Sequence, residues 1–181
     1  MKADRRRRSF LGRTAIVGVG YTQLSRRSER SVLALAAEAC TLAIEDAGLN
    51  RHDVDGVVSY SVLNDSVPSQ AVATVMGLPQ VNYALDMNLG GQAPCFMVMQ
   101  AAMAVDAGLA DNVVIFRALN GRSGVRVGST QFPGPAGQYR YPIGFTAYPQ
   151  YIAMWARRYM IETGATHADL GAVAIAQRAY A

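Results

Sequence analysis

Residues 86–100 read DMNLGGQAPCFMVMQ: the end of an apolar strand, two glycines, then an apolar helix with a cysteine in its first turn. A strand-to-helix turn made of Gly90 and Gly91 lets a ligand approach the backbone and leaves N–H groups free to hold an oxyanion. The same glycines would also serve a tight turn with close helix packing. Cys95 is the candidate nucleophile. It stands four residues before Met99 and eight before Met103, on an apolar stripe. That spacing predicts a buried, inert thiol, whereas a nucleophile exploiting the helix dipole belongs at the N-terminus itself, near Gly90 and Gly91.

The other chemistry-bearing residues are sparse. His52 and His167, the only histidines, stand in polar connections just before element starts and are expected to be solvated. Either would have to lie beside Cys95 in space to form a Cys–His pair. There is no Walker-type phosphate loop and no His/Cys metal-ligand spacing, and GVGYTQ lacks the third glycine of a dinucleotide fingerprint.

The elements that would position these residues alternate. TAIVGVGYT (14–22) is a nearly continuous apolar run and predicts a first, buried strand. After a polar arginine loop, 31–47 predicts a helix with Val32, Leu35, Ala39, Leu42 and Ala43 on one face, stopped by Gly48. A strand over 54–60, a short helix over 68–76 opened by proline, a strand over 81–88, a helix over 92–107 and a strand over 112–119 follow. This order predicts an α/β fold with a mainly parallel sheet covered by helices on both faces.

Residues 120–147 then hold six glycines and three prolines with little periodicity, the composition of a lid or binding loop. Asn120 and Ser123, where the fourth strand ends, are candidates to line a pocket at the carboxyl ends of parallel strands. Tyr139 and Tyr141 are substrate-loop candidates, although loop anchoring explains them, Tyr148 and Tyr151 equally well. A helix over 149–163 follows, and Thr166 with Asp169 three positions on signals the start of another. The sequence stops inside that helix without a cap, so the chain is expected to continue. The expected organisation is a disordered basic arm (1–13), an α/β core (14–119), a loop region with a helix (120–165) and the helix start of a further portion (166–181).

Composition bounds the function classes. At 181 residues and 51% hydrophobic content the chain can bury a core as one domain. The net charge of +4 is uneven: residues 1–30 hold nine basic against two acidic residues, +7, which leaves −3 for 31–181. The basic character is therefore terminal, unlike a nucleic-acid groove with interleaved aromatics. RRRRSFLGR resembles a twin-arginine signal, but the apolar run behind it is short and SRRSER follows at once, so a disordered arm is expected. No apolar run reaches the ~20 residues of a membrane span. Two cysteines make no disulfide framework, and a cytoplasmic location is expected.

Three stretches resemble the thiolase superfamily: 14–58 its opening strand, helix and strand; 90–116 its nucleophile-bearing segment; and RALNGRSGVRVG with 154–181 its lipid-transfer-protein branch. Within that branch the likeness is greatest to the steroid side-chain aldolases of actinobacterial sterol degradation. The resemblance spans nearly all of the chain after the arginine arm, and implies the N-terminal half of a thiolase-like fold with part of its loop domain. It places Gly91 where a thiolase carries its nucleophilic cysteine. A retro-aldol cleavage needs no acyl-enzyme, only stabilisation of a thioester enolate, so the resemblance implies an aldolase acting on a steroid-derived β-hydroxyacyl-CoA, without a cofactor in this chain. It also implies a homodimer, with helix 92–107 and strand 81–88 near its seam, and a heteromer with an OB-fold, zinc-ribbon partner. Catalytic acid and base groups are expected outside these residues. Two alternatives stay open: a thiolase using Cys95, and a non-catalytic lipid-binding or scaffold subunit.

Overall fold

In a computed structural model of the chain, residues 12–62, 64–124 and 137–181 are described. The basic arm up to residue 11 and the middle of the 120–147 loop lie outside them. Two compact units are present, Met1–Val127 and Gly128–Ala181.

The first unit is a three-layer α/β arrangement. Strands β1 (Gly56–Ser61), β2 (Tyr83–Asn88) and β3 (Val113–Phe116) form a parallel sheet in the order β2-β1-β3, with Gly56 opposite both Tyr83 and Val113. Strand periodicity of two assigns the faces. Val57, Val114 and Phe116 pack with Leu35, Ala36, Cys40 and Ile44 of α1 (Val32–Asp46) and with Val72 and Ala73 of α2 (Ser69–Met76). On the other face, Val58, Tyr60, Leu85 and Ile115 pack against Met97 and Ala101 of α3 (Ala93–Asp106). The parallel sheet covered on both sides is therefore present.

Local chemistry sets the helix ends. Ser31 accepts the Ala34 N–H (3.1 Å) at the start of α1, a capping bond of about 1 kcal/mol. Asp86 of β2 accepts from the Ser69 N–H (2.8 Å) and Ser69 hydroxyl (2.9 Å) at the start of α2 and from the buried Ser59 hydroxyl (2.6 Å). One carboxylate thus ties β1, β2 and α2 together.

Two expectations are corrected. Residues 14–22 join no ladder among the described residues; they run extended along α1. Gly18 and Gly20 press onto that helix so closely that a Cβ would fall 2.2 Å from the Ala43 carbonyl and 2.3 Å from the Ala39 carbonyl. The Val19 N–H donates to Asp46 (2.9 Å), while Ile16, Val17 and Tyr21 are exposed. Helix docking, not strand pairing, holds the segment. The α1 face also differs: Leu35, Ala36, Cys40 and Ile44 meet the sheet, while Leu42 is exposed and the backbone around Ala39 and Ala43 receives the two glycines.

The second unit contains α4 (Gly137–Arg140), a 3-10 turn at Tyr141–Ile143, α5 (Tyr148–Thr163) and α6 (His167–Ala179). The capping signal is realised: the Thr166 N–H (2.7 Å) and hydroxyl (2.8 Å) both donate to Asp169. These bonds hold the Asp169 carboxyl below its ordinary range, the backbone N–H contributing most. No helix among the described residues is long and apolar enough to cross a membrane.

Candidate active site

Because the strands are parallel, their carboxyl ends share one edge, where ligands collect in open α/β sheets. Three connections leave that edge: 62–68 after β1, 89–92 after β2 and 117–124 after β3.

The first and third are clamped together. Asp65, whose side chain is fully buried, pairs with Arg117 (2.6 Å) and accepts the Val62 N–H (2.8 Å). Arg117 also donates to the Tyr60 carbonyl (3.1 Å) and stacks over the Tyr60 ring at 4.3 Å. Its Nε and the Ser66 hydroxyl are buried without a hydrogen-bond partner among the described residues. Sequence reading missed this clamp. The only signal for it was a charged residue ending an apolar strand, since the pair is separated by 52 positions.

The second connection carries Gly90 and Gly91. The Ala93 N–H donates to the Gly90 carbonyl (3.0 Å), closing the turn into α3, and Leu89 N–H donates to the Ser61 carbonyl (3.3 Å). Neither glycine has a positive φ. A Cβ at Gly91 would meet nothing within 4 Å, and one at Gly90 only the mobile end of Gln92. Among the described residues, then, neither backbone strain nor packing requires glycine at 91.

Cys95 is exposed, contrary to the expected core position. Helix α3 turns Ala93, Met97, Ala101 and Ala104 to the sheet. Cys95, Met99 and Met103 lie two residues round from that series, about 200° away, and Met99 and Met103 are likewise exposed. The buried thiol is Cys40, which burial pushes up to about 12.

Asn120 and Ser123 tie the third connection to the arginine loop. The Asn120 amide donates to the Arg30 carbonyl (2.7 Å), and the Ser28 N–H donates to the Ser123 hydroxyl (2.9 Å). Asn120 lines a cavity of about 670 Å³ together with Thr22, Arg27, Arg30, Leu35 and Arg122; neither Ser123 nor the Gly90–Gly91 turn is part of its wall. Tyr139 and Tyr141 belong to the second unit, Tyr139 exposed on α4 and Tyr141 opening the 3-10 turn. Nearby, Tyr151 anchors the loop: its hydroxyl accepts from Arg140 (2.6 Å) and its ring meets Phe145 edge-on at 5.3 Å.

Both histidines are exposed. His52 lies before β1, at the opposite, amino edge, beside a polar hollow of about 430 Å³ with Asp55 and Asp111, and so is not placed to serve Cys95. Among the described residues no group of three or more His, Cys, Asp or Glu could hold a metal.

With this geometry in view, comparison with known proteins gives a consistent result, although no family model matches. The chain is 43% identical over 178 residues to the 17-hydroxy-3-oxo-4-pregnene-20-carboxyl-CoA lyase of Mycobacterium tuberculosis, covering 94% of this chain and 46% of the lyase. It is also 43% identical to a steroid side-chain-cleaving aldolase of Thermomonospora curvata, over 94% of this chain and 45% of that protein. The chain is therefore similar, over nearly all of its length, to two steroid side-chain-cleaving enzymes. A solved Ltp2-ChsH2(DUF35) aldolase superposes with a TM-score of 0.71 at 42% identity, covering 84% of this chain and 39% of that one. A monomeric SCP2-thiolase-like protein from Mycobacterium smegmatis gives 0.46 at 28% identity over 55% of this chain. The chain spans a little under half the length of the curated lyase and aldolase it matches.

Proposed function

We propose that this chain forms part of a carbon–carbon lyase that cleaves a steroid-derived β-hydroxyacyl-CoA by retro-aldol chemistry. The observation that carries the reading is the 43% identity, over 94% of the chain, to a lyase named for a 17-hydroxy steroid bearing a 20-carboxyl-CoA. In such a substrate the hydroxyl lies β to the thioester. A base removes the hydroxyl proton, the oxygen lone pair forms a ketone, and the Cα–Cβ bond breaks. Its electron pair passes into the thioester as an enolate, which a proton then quenches at Cα to give a short acyl-CoA. The thioester itself accepts the electrons, so no cofactor is required in this chain.

The Gly90–Gly91 turn supports the reading. With no atom of a described residue beyond its chain neighbours within 4 Å of a Cβ at 91, the turn leaves room for a branched tertiary alcohol beside backbone N–H groups at the start of α3. The partner named with the solved aldolase supports assembly with a second, dissimilar protein; a homodimer of this chain is part of the same proposal.

The test is an assay of the chain with its partner and any natural continuation, on a β-hydroxyacyl-CoA, scoring ketone and acyl-CoA release. Cleavage is expected without added coenzyme A and is expected to survive Cys95→Ser. Acylation of a cysteine during turnover, seen as a mass shift, would replace this reading with the thiolase one. Absence of turnover in the complete complex would leave the scaffold reading.

A further inference from the structure

The cavity of about 670 Å³ at the carboxyl edge has a charge pattern that the cleavage chemistry does not use. Among the described residues its wall carries Arg27, Arg30 and Arg122 against a single acidic residue, Glu29. Arg30 is committed locally, paired with Glu38 and donating to the Ala34 carbonyl (3.3 Å). Arg27 and Arg122 have no carboxylate partner among the described residues, and both are exposed. The 15-residue helix α1 begins beside Arg30, with Ser31 as its cap, so the partial positive charge of its N-terminus falls on the same wall.

The cavity is built, not incidental. The arginine loop on one side is pinned to the post-β3 loop on the other by the Asn120 amide on the Arg30 carbonyl (2.7 Å) and the Ser28 N–H on the Ser123 hydroxyl (2.9 Å). These bonds hold guanidinium groups from two separate connections around one space. Its volume is of the size that takes a small ligand, roughly 300–1,000 Å³. Among the described residues its lining contains no aromatic ring, which argues against a stacked nucleic-acid strand.

We infer that Arg27 and Arg122 form a phosphate-binding site for the nucleotide end of the thioester substrate. Arginine suits this task because its planar guanidinium donates two parallel hydrogen bonds to a phosphate. Arg30, held by Glu38, adds field without being the main donor. The inference names a subsite for the substrate of the proposed lyase and rests on that reading for the thioester. Phosphate recognition itself can be measured without turnover.

The experiment is calorimetric titration of the chain with coenzyme A, adenosine 3′,5′-bisphosphate, pantetheine and polyglutamate. Coenzyme A and the bisphosphate are expected to bind, more weakly as salt rises, while pantetheine, which lacks phosphate, is not. Arg27→Ala and Arg122→Ala are each expected to weaken binding roughly five- to tenfold, with the lysine variants intermediate and thermal melts unchanged. Pantetheine binding as tightly as coenzyme A would overturn the site, as would failure of both nucleotides to bind or an unaltered affinity in the double alanine variant. Displacement of the bisphosphate by polyglutamate at equal charge would point instead to an acidic protein segment and also overturn it. The two readings separate cleanly: turnover with a KM indifferent to both arginines removes the phosphate site and keeps the lyase. Arginine-dependent nucleotide binding without turnover does the reverse.

Discussion

The buried clamp at the carboxyl edge makes the sharpest stability prediction. Asp65→Ala removes the only carboxylate paired with Arg117 among the described residues, where the Arg117 side chain is 16% exposed against 0% for Asp65. Two effects add: Arg117 is left as a largely buried, unneutralised cation, and the Val62 N–H (2.8 Å) loses its acceptor. Removing one member of a buried pair costs about 3–5 kcal/mol, because the remaining charge has lost its compensation. The Tyr60 ring at 4.3 Å and the Tyr60 carbonyl keep Arg117 partly satisfied, which places the expected cost near the lower end, about 3 kcal/mol.

That is a large share of the roughly 5–15 kcal/mol typical of a domain, so the measurement is urea unfolding followed by circular dichroism. Asp65→Asn keeps an acceptor for Val62 and supplies a milder variant, expected at about 1.5–3 kcal/mol. Combining Asp65→Asn with Arg117→Met removes both charges and is expected to recover most of the loss, a coupling of at least about 1 kcal/mol in the double-mutant cycle. A cost below about 1 kcal/mol for Asp65→Ala, or strict additivity in the cycle, would show that the pair behaves as a solvated surface contact and would refute the reasoning.

Five further outcomes follow from single observations. Gly18→Ala is expected to destabilise by about 1–3 kcal/mol and to release residues 14–22 to proteolysis, because its Cβ would collide with helix backbone 2.2 Å away; Gly91→Ala, in open space, is expected within about 0.5 kcal/mol of wild type. Ellman titration of the native chain is expected to detect one fast thiol, abolished by Cys95→Ser, since Cys40 is buried and its thiol is raised to about 12. A raised folded value means that the Cys40 contribution is complete below the unfolded value of 9.0 and is lost as pH rises from there towards about 12, so unfolding experiments should show falling stability across that window. Asp169 has the opposite sign: its lowered folded value makes the α6 cap effective above the ordinary value of 3.8 and loses it as pH falls through the folded value, which Asp169→Asn should abolish as an acid-dependent drop in helicity.

The sequence signals that succeeded and failed divide along physical lines. The parallel sheet was legible because 54–60, 81–88 and 112–119 are apolar runs separated by helix-forming stretches, and a strand's two faces follow from a period of two whichever way it turns. Helix α3 was legible as a helix but not in its orientation. It is apolar nearly all round, so both the Met97 and the Met99 series satisfy a helical repeat, and only the sheet beneath decides between them. Apolar content likewise marked 14–22 for burial without saying against what; the two glycines that dock it on α1 read as strand residues in one dimension.

The same distinction applies to the site. A double glycine after a strand can be read locally, because backbone freedom is a property of the residue itself. The Asp65–Arg117 pair and the arginine cavity cannot, because each joins residues from connections 52 to 95 positions apart. Both sit on the carboxyl edge: the parallel sheet delivers the connections after β1 and β3 to that side, and the start of α1 brings the arginine loop beside them, so polar groups scattered along the chain converge there without any local pattern. Arg27 stands in the polar arginine loop and Arg122 in the loop after β3, and no local pattern in either stretch marks a site. Their meaning comes from β3 and α1 being packed on the same core, which carries the loop after one to the loop before the other. A substitution that loosened this packing, with the arginines intact, should therefore weaken phosphate binding as surely as removing a guanidinium.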